Sequence, residues 1–180
     1  WTFSKAYNMI NKKPEYLKAA KSLYEFLPKC VDADGRMFFS VTEDGRDLQK
    51  RRYYYSETFA AIGCVEYYKA VGEKDVWNSA EKYFDTAYAL YTTPELSVPK
   101  FNPVNAPFKG VAPSMIMLNT AQIMASIGIN KEKYEKICLE CMDEILHGGY
   151  IKPELGGMLE QVKTDGSFFD SPSTRVVNPG

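Results

Sequence analysis

The sequence has 180 residues, with 22 Lys plus Arg against 23 Asp plus Glu and a formal net charge of -1. That length suits one domain with a single core, and the balanced charge excludes the basic footprint of a nucleic-acid binder. At 45% hydrophobic and 25% charged the chain is not a disordered one, and no apolar run reaches the ~20 residues of a membrane helix.

In chain order the pattern is helical. Trp1 to about Asn11 reads as a helix met in its middle, since Trp1, Phe3, Tyr7 and Ile10 are apolar and no cap precedes them. Pro14 suits the first turn of a second helix, whose Leu17, Ala20, Tyr24 and Leu27 share a face. Met37, Phe39 and Val41 then alternate with Phe38, Ser40 and Thr42 ahead of Asp44-Gly45, which predicts a strand and a turn. A third helix begins near Ser56 and carries Phe59, Ala60, Ile62, Gly63, Cys64 and Tyr67. The fourth runs from about Asp75 and buries Val76, Ala80, Tyr83, Phe84, Ala87, Tyr88 and Tyr91. The five prolines between Thr92 and Pro113 predict a long irregular loop.

Ser114 caps a predicted fifth helix with Met115, Leu118, Ile123 and Met124 on its apolar side. Asn130 caps a sixth, which ends at His147-Gly148-Gly149. In that sixth helix Cys138 and Cys141 share a stripe with Tyr134, Ile137, Met142 and Ile145. The spacing reads as buried thiols rather than a metal site, because no second pair accompanies it. Cys30, Cys64, Cys138 and Cys141, with no metal-site spacing, and the absence of a signal-peptide pattern suit a reducing, cytoplasmic compartment. His147, the single histidine, suits a helix C-terminus, where the dipole favours an imidazolium. Leu159-Glu160-Gln161-Val162 before Asp165-Gly166 reads as one further strand, in which Glu160 needs a partner or an open face. Lys109-Gly110 is suggestive of a phosphate contact, but no P-loop surrounds it.

Helix pairs joined by short hairpins predict an all-α fold of the α/α toroid type, a single domain over residues 1–180 that fills only part of the ring; a small helical domain with its own closure is the alternative. Such an incomplete ring exposes apolar faces and favours association as a homodimer.

Several stretches carry a resemblance in order and spacing: Trp1-Thr2-Phe3-Ser4, Asp34-Gly35-Arg36-Met37-Phe38-Phe39-Ser40-Val41-Thr42, and Asp44-Gly45-Arg46. They continue with Lys50-Arg51-Arg52-Tyr53-Tyr54-Tyr55-Ser56-Glu57-Thr58-Phe59-Ala60, Glu160-x-Val162 with Asp165-Gly166, and Arg175-x-x-Asn178-Pro179-Gly180. Together they resemble the N-acylglucosamine 2-epimerase family. The resemblance implies an (α/α)6 barrel of about twice this length, and a sugar 2-epimerase that moves the proton at C2 with no cofactor and no metal. It implies a small-molecule sugar as partner, and neither nucleic acid nor membrane. Such chemistry needs a base and an acid on opposite faces of C2, together with groups that polarise O1. Two histidines do this in the family, one directly after an Asn-Pro-Gly like 178–180 and one far downstream. An orienting arginine stands three residues before the tryptophan matched by Trp1. No catalytic residue is therefore expected within this segment, which is expected to be inactive alone.

The resemblance also assigns a substrate-binding set. Tyr55 matches a tyrosine lining the sugar pocket of cellobiose 2-epimerases, although its type suits a core aromatic at a helix start equally well. Arg52 and Glu57, flanking it, can hold sugar hydroxyls or pair with each other at the barrel rim. Glu160 can face the barrel mouth, while Arg175 and Asn178 lead toward the family's first histidine; Asn178 suits a helix cap as well as ligand contact. The string Arg52-Tyr53-Tyr54-Tyr55-Ser56-Glu57 is closer to the N-acetylglucosamine/N-acetylmannosamine branch than to the disaccharide epimerases. An aldose–ketose isomerase of mannose-type sugars, or a non-catalytic carbohydrate-binding module, are the alternatives.

Overall fold

The computed structural model describes residues 1–51, 53–96, 107–170 and the backbone of 177–178. The chain is mostly helical, with short strands. It divides into two compact units, one of Trp1–Val98 with Ser126–Ile129 and one of Pro99–Ala125 with Asn130–Gly180.

The first unit is built on α1 (Thr2–Met9), α2 (Pro14–Phe26), α3 (Tyr55–Val71) and α4 (Lys74–Thr92). Pro14 occupies the first turn of α2 as predicted, where its missing N–H costs nothing. α3 is the central element. Its buried residues, among them Glu57, Ala61, Cys64, Val65 and Tyr67, surround the helix instead of forming one stripe. It packs against α1, α2 and α4 at once, and a helix so covered carries little amphipathicity. Gly72, at φ 71, ends it in the left-handed conformation. α4 is amphipathic and buries the predicted Val76, Ala80, Tyr83, Phe84 and Ala87, but it also buries Trp77 and Leu90, whereas the predicted Tyr88 and Tyr91 are half-buried. Phe59 departs from expectation. It is 68% exposed, because it stands at the open rim of a cavity between α1, α2 and α3 and is not packed into the core.

Between α2 and α3 the chain forms β1 (Ser40–Val41) and β2 (Asp47–Gln49), an antiparallel pair with a register shift between Ser40 and Val41. The shift breaks the predicted alternation. Met37 is buried and bridges Val31, whereas Phe39 is exposed and lies under the Arg51 guanidinium, 4.5 Å away.

The second unit contains β3 (Phe108–Gly110), α5 (Ala112–Ala125), α6 (Lys131–His147), β4 (Ile151–Lys152), β5 (Gly157–Leu159), β6 (Gln161–Lys163) and β7 (Val177–Asn178). β3 pairs with β6, and β4, β5 and β7 form a second small sheet in that order. The predicted loop from Thr92 to Pro113 therefore ends early, since Phe108–Gly110 finds a partner strand in 161–163; residues 97–106 lie outside the described residues. α5 starts at Ala112, so Ser114 is a buried first-turn residue and not the cap, and Met117 takes the core position expected of the half-exposed Met115. On α6 the core stripe is Tyr134, Ile137, Cys138 and Cys141, and Met142 is exposed. All four cysteines are free. Asn130 stands at the N-cap of α6, but its backbone is left-handed (φ 49) and its side chain makes no capping bond. His147 ends α6 and pairs with Asp143, with Nδ1 2.8 Å from Oδ1.

The predicted strand through Leu159 and Val162 is two strands in two sheets. Both residues are buried in one cluster with Val111 and Tyr150. Positions three apart cannot face the same way on a flat strand of period two, so the chain breaks at Glu160 and changes sheets.

Burial in the first unit leaves a titration signature. It pushes the Cys64 thiol and the Tyr83 phenol each up to about 12, from ordinary values of 9.0 and 10.0. Above about pH 9 the unfolded chain releases these protons while the fold keeps them, so the folded state binds more protons and stability falls as pH rises. The contribution is complete below that pH and is lost on the way to about pH 12. Urea midpoints read by tryptophan fluorescence should fall steadily across this window. A flat midpoint would mean that both groups titrate as freely in the fold as out of it.

Candidate functional site

Of the residues singled out by sequence, Tyr55 and Glu57 open α3. Asp32 to Met37 form a tight turn in which Gly35, at φ 83, supplies a conformation that a side chain would resist. The turn is closed by Gly35 N–H to the Asp32 carbonyl (2.9 Å) and Asp32 N–H to the Arg36 carbonyl (2.8 Å). Lys50 clamps it from outside, with Nζ 2.6 Å from both Asp32 Oδ2 and Asp34 Oδ2. That clamp donates to both carboxylates and holds Asp32 and Asp34 below the usual carboxylate range.

The turn presents Arg36 to Glu57, Nε to Oε1 at 2.8 Å, and the same oxygen accepts the Met37 N–H at 2.9 Å. The Glu57 side chain has no exposed surface and that of Arg36 is 12% exposed. Glu57 Oε2 is buried with no hydrogen-bond partner among the described residues. Glu57 thus takes Arg36 as its ion-pair partner. A carboxylate so enclosed acts on a ligand only through the groups it holds. Arg52 lies outside the described residues, as does Arg175.

The three tyrosines diverge at this point. Tyr54 turns into the core and meets the rings of Tyr55 and Tyr91 edge-on, at 5.6 and 6.3 Å. Tyr53 and Tyr55 stack, with centroids 5.1 Å apart and planes 11° from parallel, and both remain half-buried. Burial, aided by the neighbouring Tyr53 phenol, raises the Tyr55 hydroxyl above its ordinary value, so it stays a neutral O–H donor at working pH. A flat aromatic pair with a donor at its edge can cover the C–H face of a sugar ring and bond one of its oxygens.

Glu160 and Asn178 belong to the second unit. Glu160 is exposed at the break between β5 and β6, where its backbone carbonyl accepts the Val111 N–H at 3.0 Å. Asn178 is in β7, with its backbone paired to Met158. Lys109 is engaged internally, 2.9 Å from Glu144 Oε1 and over the Tyr150 ring, so the phosphate-like dipeptide serves packing. A cavity of about 220 Å³ opens between α1, α2 and α3, bordered by Trp1, Phe3, Leu23, Leu27, Phe59 and Cys64. Its lining is largely apolar and carries no charged side chain, a poor match to a polyol. Sequence reasoning gave no role to Arg36 or Tyr53. The available signal was the Asp34-Gly35-Arg36 turn, a glycine placed where an arginine must be thrown inward.

The family model described as N-acylglucosamine 2-epimerase (GlcNAc 2-epimerase) matches residues 1–180. The N-acylglucosamine 2-epimerase of Bos taurus is 24% identical across the whole chain, which covers 44% of that protein. A cellobiose 2-epimerase from Dictyoglomus turgidum is 34% identical over 77 residues, 42% of this chain and 20% of that protein. In fold, the chain resembles the crystal structure of a sugar epimerase from a ruminal bacterium, with a TM-score of 0.75 and 20% identity over 95% of this chain and 47% of the other. The chain therefore spans less than half the length of these relatives. No helix among the described residues is long and apolar enough to cross a membrane. With the match running from the first residue to the last, the chain belongs to the N-acylglucosamine 2-epimerase family.

Proposed function

We propose that the protein is a carbohydrate 2-epimerase that interconverts N-acetylglucosamine and N-acetylmannosamine by proton transfer at C2. The observation that carries this reading is the end-to-end alignment with N-acylglucosamine 2-epimerases, against the partial alignment with a cellobiose 2-epimerase. In this reading the segment contributes part of an (α/α)6 toroid as a single domain, and histidines beyond Gly180 move the proton. The four free cysteines fit a reducing compartment such as the cytoplasm.

Tyr55 is the residue here with the clearest chemical part. It is a neutral donor at the edge of a stacked pair, suited to a sugar oxygen. Arg52, Glu160, Arg175 and Asn178 complete the proposed substrate-binding set, with Glu57 acting through the loop it anchors. Tyr55→Phe in the full-length protein should keep the fold and lose one hydrogen bond of about 0.5–1.5 kcal/mol, roughly a two- to twelvefold fall in kcat/KM. Unchanged kinetics would reduce Tyr55 to a core aromatic.

Proton NMR of N-acetylglucosamine in heavy water tests the activity. Loss of the C2 proton signal with growth of N-acetylmannosamine, seen with the full-length protein and not with this segment, is the expected result. Exchange on mannose alone would shift the assignment to an aldose–ketose isomerase. Sugar binding without exchange on either would make the protein a carbohydrate-binding module.

A further inference from the structure

One planar group ties together every backbone segment at the head of α3. Arg36 donates Nε to Glu57 Oε1 at 2.8 Å, and donates Nη2 to the carbonyls of Tyr53 at 3.0 Å and Arg51 at 3.4 Å. The Tyr53 carbonyl belongs to the peptide from which the aromatic triplet diverges, with Tyr54 going inward and Tyr53 and Tyr55 stacking. Holding that carbonyl fixes the peptide plane, and the plane sets the direction of the rings on both sides of it. A guanidinium satisfies a carboxylate and two carbonyls through separate N–H groups in one plane, whereas a lysine ammonium is a point charge without that fork.

The arrangement is a poor way to gain stability. Glu57 Oε2 is buried without a partner among the described residues, and a buried pair left half-satisfied there is no better for a fold than apolar packing of the same shape. Its geometric product is a preformed wall of two parallel phenol rings, with the Tyr55 hydroxyl held at the edge.

We propose that Arg36 is a positioning residue of the site, which sets the Tyr53–Tyr55 stack as a rigid platform for the C–H face of a pyranose ring. The ligand class rests on the sugar reading above; the positioning role rests on the geometry alone.

The test is a double-mutant cycle of Arg36→Lys and Tyr55→Phe in the full-length protein, with N-acetylglucosamine as probe. Near-UV circular dichroism of the tyrosines is recorded alongside. Arg36→Lys should lower kcat/KM about tenfold through misplacement, mostly in kcat, and should change the tyrosine dichroism. In the Tyr55→Phe background the same change should cost much less, because the group being positioned has lost its hydroxyl. Fully additive losses, or a lysine variant with wild-type kinetics and dichroism, would overturn the proposal. Tyr53→Leu is the second arm if the lysine variant does not fold. It removes the stacked ring and keeps the backbone carbonyl that Arg36 holds, and it should reproduce the same non-additive loss. Should the wild-type protein neither exchange the C2 hydrogen of the sugar nor bind it, the sugar reading falls. Arg36 is then judged by dichroism: a changed tyrosine signal in its lysine variant upholds the positioning role, and an unchanged signal removes it.

Discussion

Replacing Glu57 with alanine should destabilise the first unit by about 3–5 kcal/mol, the range for breaking one side of a buried ion pair. The side chain has no exposed surface, and its partner Arg36 would keep a guanidinium that is only 12% exposed without a counter-charge. The Met37 N–H would lose its acceptor at the same time. The first turn of α3 would also lose a carboxylate from the helix end that favours one. Glu57→Gln separates these effects. Its amide oxygen can still accept from Arg36 and Met37, so the loss should be smaller, about 1–3 kcal/mol. Both tryptophans, Trp1 and Trp77, belong to the first unit. Urea unfolding followed by tryptophan fluorescence therefore reports on the right part of the chain. An alanine variant within about 1 kcal/mol of wild type would show that the pair does not hold this unit together.

Gly149→Ala should cost the second unit about 2–4 kcal/mol, from a strained backbone and a collision together. Gly149 has φ 89, and a Cβ there would come within 2.3 Å of the Gly166 carbonyl oxygen and 2.6 Å of its Cα. Both are backbone atoms, so relief requires moving the turn that carries Gly166. That turn is braced by Lys152, whose Nζ donates to the Gly166 carbonyl at 3.1 Å. Next to it, Tyr150 is buried in the cluster of Val111, Leu159 and Val162, with its hydroxyl bonded to the Gly110 carbonyl and to Glu144. Displacing the turn disturbs all of these. Gly156→Ala is the control, since its φ is 65 but nothing lies within 4 Å of an added Cβ. It should cost about 1–2 kcal/mol, the conformational share alone. Amide hydrogen exchange along β3 and β6 reads the difference, and equal protection in the two variants would contradict the collision.

Whatever depends on neighbours in the chain was legible beforehand. Pro14 opens α2, Gly148 and Gly149 follow α6, and the apolar period of α4 names most of its core correctly. The motif strings spread in order along the whole chain, not any one of them, carried the family. Helix period and turn chemistry are properties of a few consecutive residues, so they survive without the rest of the protein. The misplacements share a different cause. Ser114 and Asn130 have the right type for caps, yet α5 begins two residues before Ser114 and the Asn130 backbone is left-handed. Phe59 and Met142 are apolar and were placed inward, but which side of a helix is covered depends on which helices come to lie against it.

The site divides along the same line. Tyr55 and Glu57 were visible as residue types beside a helix start, but the partner of Glu57 was not. Arg36 is 21 residues away in sequence, and no local spacing encodes an ion pair closed by a turn at Gly35. The break at Glu160 is of the same kind, since two strands compete for one stretch of chain and burial of both Leu159 and Val162 decides where it yields. The sequence by itself determined the helices and the family. Only tertiary structure decided which charges are paired, which faces are covered and which rings stand parallel, because those follow from contacts between segments that local periodicity does not record.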